Sequence, residues 1–330
     1  MRKPSKFAAV LLSLLLVAAL VVGCGGSEQP AAPDAPPAPT QFISIATGGQ
    51  AGTYFPLGGA MAEIFNANVP GIDARAETTN ASVANISLLE QGQAELAFIQ
   101  NDISYYAYEG IQMFDSPVTN IAGVATLYPE VIQVVTLADK GINSIEDLKG
   151  KKVAVGAPAS GTEANARQIL AAYGMTFEDI TEDFLSFGEA AGNLKDGHVD
   201  AAFLTAGLPT GAVLDLGATH DIKIISLSAA AIESLTTEYA FYAPFTIEGG
   251  TYAKMDEDVA TVAVKAMLVT TTELSEEMVY NLTKALFDNL DAYGAAHERG
   301  KDLTLETATE AMSLPLHPGA AKFYEEKGIQ

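Results

Sequence analysis

The sequence predicts an α/β fold of two lobes, joined by two hinge strands, with a ligand cleft between them. Three observations predict it. Strand-like and helix-like patterns alternate along the body of the chain. A strand, glycine loop and helix unit occurs twice, and each copy is followed by a Gly-x-x-acid-x-Ala-Phe strand. The second copy is embedded between stretches of similar α/β material, as if one lobe were inserted into the other.

The chain has 330 residues and begins Met1-Arg2-Lys3-Pro4-Ser5-Lys6. An apolar run from Phe7 to Val22 follows, broken by Ser13. Positive charge and then a short apolar run describe a secretory signal peptide, since a membrane span needs about 20 apolar residues. The run ends in Val21-Val22-Gly23-Cys24-Gly25, which resembles a bacterial lipobox. Residues 1–23 are expected to be the leader and Cys24, the only cysteine, the lipidation site. Residues 24–41 carry five prolines and almost no large apolar side chain, so they read as an extended tether. The exported protein is then anchored at the outer face of the cytoplasmic membrane or held in the periplasm. Without Arg2, Lys3 and Lys6, 15 basic residues face 41 acidic ones, a formal charge of −26. That balance disfavours nucleic acid and anionic membrane surfaces as partners, because both need a basic face.

About 290 residues remain for the body, enough for two domains or one large one. Phe42–Ile45 reads as a strand. Ala46-Thr-Gly-Gly-Gln-Ala-Gly-Thr-Tyr-Phe-Pro-Leu-Gly-Gly59 follows, with five glycines, before a helix carrying Met61, Ile64 and Phe65. Ser82–Gln91 has Val83, Ile86 and Leu89 at helical spacing, with Asn80 or Ser82 available as N-cap. Glu95–Gln100, Ile121–Thr126 and Val131–Leu137 read as strands. Ser144–Lys149 reads as a short helix stopped by Gly150. Lys152–Val155 begins the second copy, with a helix opening near Gly161 and running through Asn165–Tyr173. Ile222–Leu227 and Tyr239–Phe245 read as strands, and Val259–Thr272, Ser275–Tyr293 and Leu305–Met312 as helices. Gly92 lies 40 residues after Gly52, and Gly197 lies 36 after Gly161. The embedding of the second copy between Tyr128 and Glu238 assigns 42–127 plus 240–330 to lobe I and 128–239 to lobe II. The chain would cross near Tyr128–Val131 and return near Tyr239–Phe245.

Catalytic chemistry is not legible. The opening loop lacks the lysine of a P-loop, and its glycines are in the wrong phase for a dinucleotide fingerprint. Pro158 stands where a nucleophile elbow around Ser160 needs glycine. None of the four histidines has a His or Cys partner at metal spacing, so no metal, cofactor or catalytic residue is expected. Anion binding is legible, because strand ends followed by helix N-termini present backbone N–H groups to a cleft. On one lobe the candidates are Gly48, Gly49, Thr53, Tyr54, Asn80, Ser82, Gln100, Asn101 and Asp102. On the other they are Ser160, Gly161, Thr162, Thr205 and Gly207. Each hydroxyl has N-capping as its plain alternative, most strongly Thr53 and Ser82 and least Ser160.

Four segments carry a family resemblance: TGGQAGTYFPLGGAMA (Thr47–Ala62), ETTNASVANISLLEQGQAELAFIQND (Glu77–Asp102), GAPASGTEANARQIL (Gly156–Leu170) and LPLHPGAAKFYEEKG (Leu314–Gly328). With them the chain resembles the TAXI solute receptors of TRAP transporters. The resemblance implies a type II periplasmic-binding-protein fold and a small organic acid as ligand, such as glutamate, 2-oxoglutarate or a related dicarboxylate. It also implies a TRAP membrane permease as partner of a monomeric, non-enzymatic receptor. The family's usual Gln-Ser-Asp reads Gln100-Asn101-Asp102 here, an amide in place of a small hydroxyl. Sister TRAP receptors hold a carboxylate with a buried arginine. Here only Arg75 and Arg167 lie near the loops, and Arg167 is placed to brace its helix. Helix N-termini, hydroxyls and Gln100 are therefore the expected carboxylate binders. A sensing receptor of the same fold is the alternative, and an exported enzyme a third.

Overall fold

The structure is a computed structural model and describes residues 40–329. The expected leader, Cys24 and the tether up to residue 39 lie outside the described residues. Among those described, no helix is long and apolar enough to cross a membrane.

In the first stretch the chain forms β1 (Gln41–Ala46), α1 (Tyr54–Asn68), β2 (Ile72–Glu77), α2 (Ser82–Glu90), β3 (Leu96–Gln100) and α3 (Asn101–Glu109). A long strand β4 (Ile121–Leu137) leads to β5 (Lys152–Ala154), α4 (Gly161–Ala172), β6 (Thr181–Asp183), α5 (Phe187–Lys195) and β7 (Ala201–Ala206). Then come α6 (Gly211–Gly217), β8 (Ile222–Ile224), α7 (Ala229–Glu238), β9 (Ala243–Ile247) and a second long strand, β10 (Val259–Thr271). The chain closes with α8 (Glu276–Phe287), α9 (Leu290–Ala296) and α10 (Pro318–Glu326).

The strand order β2-β1-β3-β10-β4-β7-β5-β6 has an internal symmetry. On one side β2, β1 and β3 run parallel and β10 pairs antiparallel with β3. On the other, β6, β5 and β7 run parallel and β4 pairs antiparallel with β7. The two copies of the sequence motif therefore occupy equivalent places, β1–α1 matching β5–α4 and β3 matching β7. The sheet is a mixed one, because β4 and β10 run against their neighbours.

The apolar cores follow the same division. Ile45, Phe65 and Phe98 belong to a cluster drawn from residues 43–128 and 266–324. Val153, Ile169 and Phe203 belong to a cluster drawn from residues 132–264. Tyr242, Ile247, Tyr252 and Val259 pack with this second side. The strands β4 and β10 pair where both pass from one side to the other, with Val131 opposite Ala263 and Tyr128 opposite Ala266. We propose that the lobe boundary runs through 128–131 on β4 and 264–266 on β10, so that residues 240–264 join lobe II. The expected return at Tyr239–Phe245 is instead the end of α7 and the start of β9.

Three expected helices differ. Val259–Thr272 is strand β10. Its Val and Thr residues favour extended backbone, and burial of both faces removes the alternation that marks a strand. Ser275–Tyr293 is two helices, with Asp288 and Asn289 between them. Leu305–Met312 forms turns rather than an α-helix.

Candidate functional site

Parallel strands from both sides end at one cavity, which encloses about 530 Å³ with its mouth. Of the residues expected to bind, Gly48, Gly49, Thr53, Tyr54, Asn80, Ser82 and Gln100 line it from one side. Ser160, Gly161, Thr162 and Thr205 line it from the other. Asn101, Asp102 and Gly207 do not. The Asn101 amide donates to Ala311 O and its Oδ1 accepts from Lys265 N, which ties α3 to β10. The unusual residue of Gln100-Asn101-Asp102 is therefore not part of the cavity wall. Gly207 lies beneath the wall, where a Cβ would run into Arg299.

The first turns of α1, α2, α4 and α5 all contribute to the lining. A helix N-terminus carries roughly half a positive charge on unsatisfied N–H groups, so their convergence favours an anion. The four ends differ in how far the protein satisfies them. Ser160 caps α4 by accepting from Glu163 N at 3.1 Å, and Glu163 in turn accepts from Ala159 N. Ser186 and Glu189 form a capping box on α5. Neither α1 nor α2 has a side-chain cap. Thr53, at the cap position of α1, sends its hydroxyl across the cleft to Gly207 O at 3.2 Å. Ser82 Oγ accepts from Gln100 N, and the α2 amide of Ala84 is taken by Ala159 O from the opposite side. The sequence ranked capping in the reverse order. Cap position alone cannot reveal that Thr53 faces a carbonyl on the other lobe.

A buried polar hub joins the sides beneath the cavity. Asn165 Oδ1 accepts from Gln100 Nε2 at 3.1 Å and Thr205 Oγ1 at 3.0 Å. Its amide donates to Asp102 Oδ2 at 3.0 Å and to the Tyr242 hydroxyl at 2.8 Å. Gln100 reaches Asn165 because Gly161 has no side chain there; a Cβ would collide with the carboxamide. The remaining Gln100 atom, Oε1, is buried and has no partner. A buried acceptor without a donor costs about 1–3 kcal/mol.

Among the described residues, no Lys, Arg or His lines the cavity. Arg75 pairs with Asp73 at the surface. Arg167 pairs with Glu163 one turn back and lies over the Phe177 ring. The charged lining residue is Glu130 on β4, 2% exposed, which accepts from the Tyr54 hydroxyl at 2.5 Å. Burial pushes its carboxyl up to about 8, against the Tyr54 hydrogen bond and with a further push from Asp102. Burial also raises Asp102 to about 6, although Ile103 N and Asn165 both donate to it. The described residues hold no cluster of metal-ligating side chains.

Sequence reasoning missed Glu130, Ser186, Phe187 and Asn165. Two had a readable signal. Glu130 is a lone acid in the apolar run Leu127-Tyr-Pro-Glu-Val-Ile132, and acids are rarely buried without purpose. Ser186-Phe-Gly-Glu189 is a capping-box pattern. Asn165 carries no such mark, since an asparagine within a helix is usually just exposed.

The model described as the NMT1-like family matches residues 45–328. The chain belongs to the NMT1-like family. Among solved structures, a Bordetella bronchiseptica RB50 protein is similar to this NMT1-like chain at 19% identity and a TM-score of 0.54, over 87% of this chain and 82% of its own. The PhnD1 protein of Prochlorococcus marinus (MIT 9301), in complex with methylphosphonate, is similar at 11% identity and a TM-score of 0.53, over 79% and 90%. The fold is the two-lobed α/β fold of type II periplasmic binding proteins.

Proposed function

We propose that this NMT1-like protein is an extracytoplasmic solute receptor that closes on a small organic acid and delivers it to a membrane permease. The observation that carries this reading is the convergence of four helix N-termini on a cavity with no basic side chain. Backbone N–H groups hold a carboxylate without the desolvation cost of a buried cation, and exclusion of water strengthens each contact. The similar Prochlorococcus protein holds a small anion, methylphosphonate, on the same fold.

The unpartnered Gln100 Oε1 narrows the ligand class, because it needs a donor. A carboxylate that also carries an N–H or O–H group satisfies both demands. Glutamate fits better on this count than 2-oxoglutarate, which lacks a donor when ionised. The motif resemblance favours a TRAP permease as the receiving partner, and the leader with Cys24 favours a lipid-anchored protein. The contacts from Thr53 to Gly207 and from Gln100 to Asn165 are those of a closed receptor, and opening would part them.

Equilibrium titration with L-glutamate, 2-oxoglutarate and succinate tests the ligand. Saturable binding with a fall in radius of gyration supports the reading. No binding by any of the three overturns the dicarboxylate class. A gene for a TRAP permease beside this one supports the partner, and an ABC permease gene in its place overturns it.

A further inference from the structure

Among the described residues, Glu130 is the one carboxyl in the cavity wall. It sits on β4 at the passage between the two sides, opposite Val264 of β10. Its Oε2 accepts a hydrogen bond from the Tyr54 hydroxyl, and Tyr54 is the first residue of α1. Glu130 and the first turn of α1 line the same cavity, so an anion bound there meets this carboxyl. Two negative charges in contact repel strongly once water is excluded, so both cannot stay ionised at little cost.

The groups around Glu130 do not relieve this repulsion. Tyr54 faces it from α1, Tyr128 lies beside it on β4, and Asp102 adds negative charge from α3. Lys265 on β10 pairs alongside Pro129. Arg299, after α9, is committed to Asp302 at 2.9 Å. Neither cation lines the cavity.

Resting on the carboxylate reading above, we propose that Glu130 contacts the ligand as a neutral acid, donating a hydrogen bond to a ligand oxygen, so that binding of the anion takes up a proton. Oε2 accepts from Tyr54, and the proton sits on Oε1, where it can be given to the ligand. The proton comes from solvent whenever Glu130 is ionised in the free protein. Burial already holds the carboxyl up at about 8, so the coupling appears in mildly alkaline solution.

The test is calorimetry of the full chain with 2-oxoglutarate and with L-glutamate between pH 6.5 and 9.0, in pairs of buffers of different ionisation enthalpy. This range lies above the Asp102 titration. The expected affinity is level near pH 6.5 and about tenfold weaker at pH 9.0, as a group titrating at about 8 requires. Uptake of about half a proton per ligand is expected at pH 8, and none near pH 6.5. In Glu130→Gln, affinity no longer varies with pH and proton uptake disappears. Affinity that stays level or rises with pH in the unmutated protein overturns the proposal alone; a rise would mean that ionised Glu130 pairs with a ligand cation. Failure of both probes to bind at every pH overturns the carboxylate reading and this proposal with it.

Discussion

The loops Ala46–Tyr54 and Gly156–Thr162 share one plan: a parallel strand, a glycine turn and a helix opening on the cavity. They are finished differently. In the second loop the helix is closed by its own residues, with Ser160 capping, Glu163 returning to Ala159 and Arg167 holding Glu163. In the first loop no side chain caps the helix, and Thr53 reaches across to Gly207 instead. Pro56 also removes one N–H from the first turn of α1. A preformed jaw thus faces one whose cap-position hydroxyl is satisfied from the opposite side.

Substituting the residue that joins the two jaws should have the largest effect. Asn165→Leu removes four hydrogen bonds and leaves Asp102, Gln100, Thr205 and Tyr242 short of partners. A loss of about 3–5 kcal/mol in urea unfolding is expected, since each stranded buried group costs about 1–3 kcal/mol and some will relax. A loss under about 1 kcal/mol would mean that the hub does not hold the lobes together.

The next effect belongs to the carboxyl that the first jaw contacts through Tyr54. Glu130 is raised to about 8 in the folded chain but ionises near 4.5 when unfolded. Between those values the folded chain keeps a proton that the unfolded chain releases. Stability should therefore fall as pH rises through this window and level off above it, with a slope of at most about 1.4 kcal/mol per pH unit. Asp102 adds to the slope between its ordinary 3.8 and about 6. Thermal melts of Glu130→Gln should lose the decline between pH 6 and 8. An unchanged decline would place the titration elsewhere.

Smaller effects separate the loops further. Gly161→Ala drives Gln100 off Asn165 and should weaken ligand binding about tenfold, the equivalent of one lost hydrogen bond. Gly52→Ala brings a methyl only to 3.3 Å from the Phe187 ring and should change binding less than about threefold. Equal effects in titration would break the distinction. Smallest are the hydroxyl deletions. Ser160→Ala should cost about 1 kcal/mol of stability as a lost cap. Thr53→Val should cost about 0.5 kcal/mol, because Thr210 still donates to Gly207 O. A larger loss for Thr53 would show that α1 depends on it as a cap.

What could be read in advance follows from where the determinants lie along the chain. The repeated strand–loop–helix units are local, so their pairing and most of the cavity-lining residues were visible. Non-local partners were not. Nothing around Thr53 reveals Gly207, and nothing around Asn165 reveals Gln100 and Asp102. β10 was misread because a strand buried on both faces shows neither strand nor helix periodicity. The proposed lobe boundary shifts with it, since that strand carries the second passage. Glu130 is legible as an acid in an apolar run, but the sequence does not show that it faces a cavity.

The most direct test of the central claim is calorimetric titration of the full chain at pH 7 with L-glutamate, 2-oxoglutarate and succinate. The account predicts one site per chain, with a Kd of about 10 μM or tighter for at least one of them and glutamate favoured over 2-oxoglutarate. Folded protein that gives no saturable heat with any of the three would contradict it.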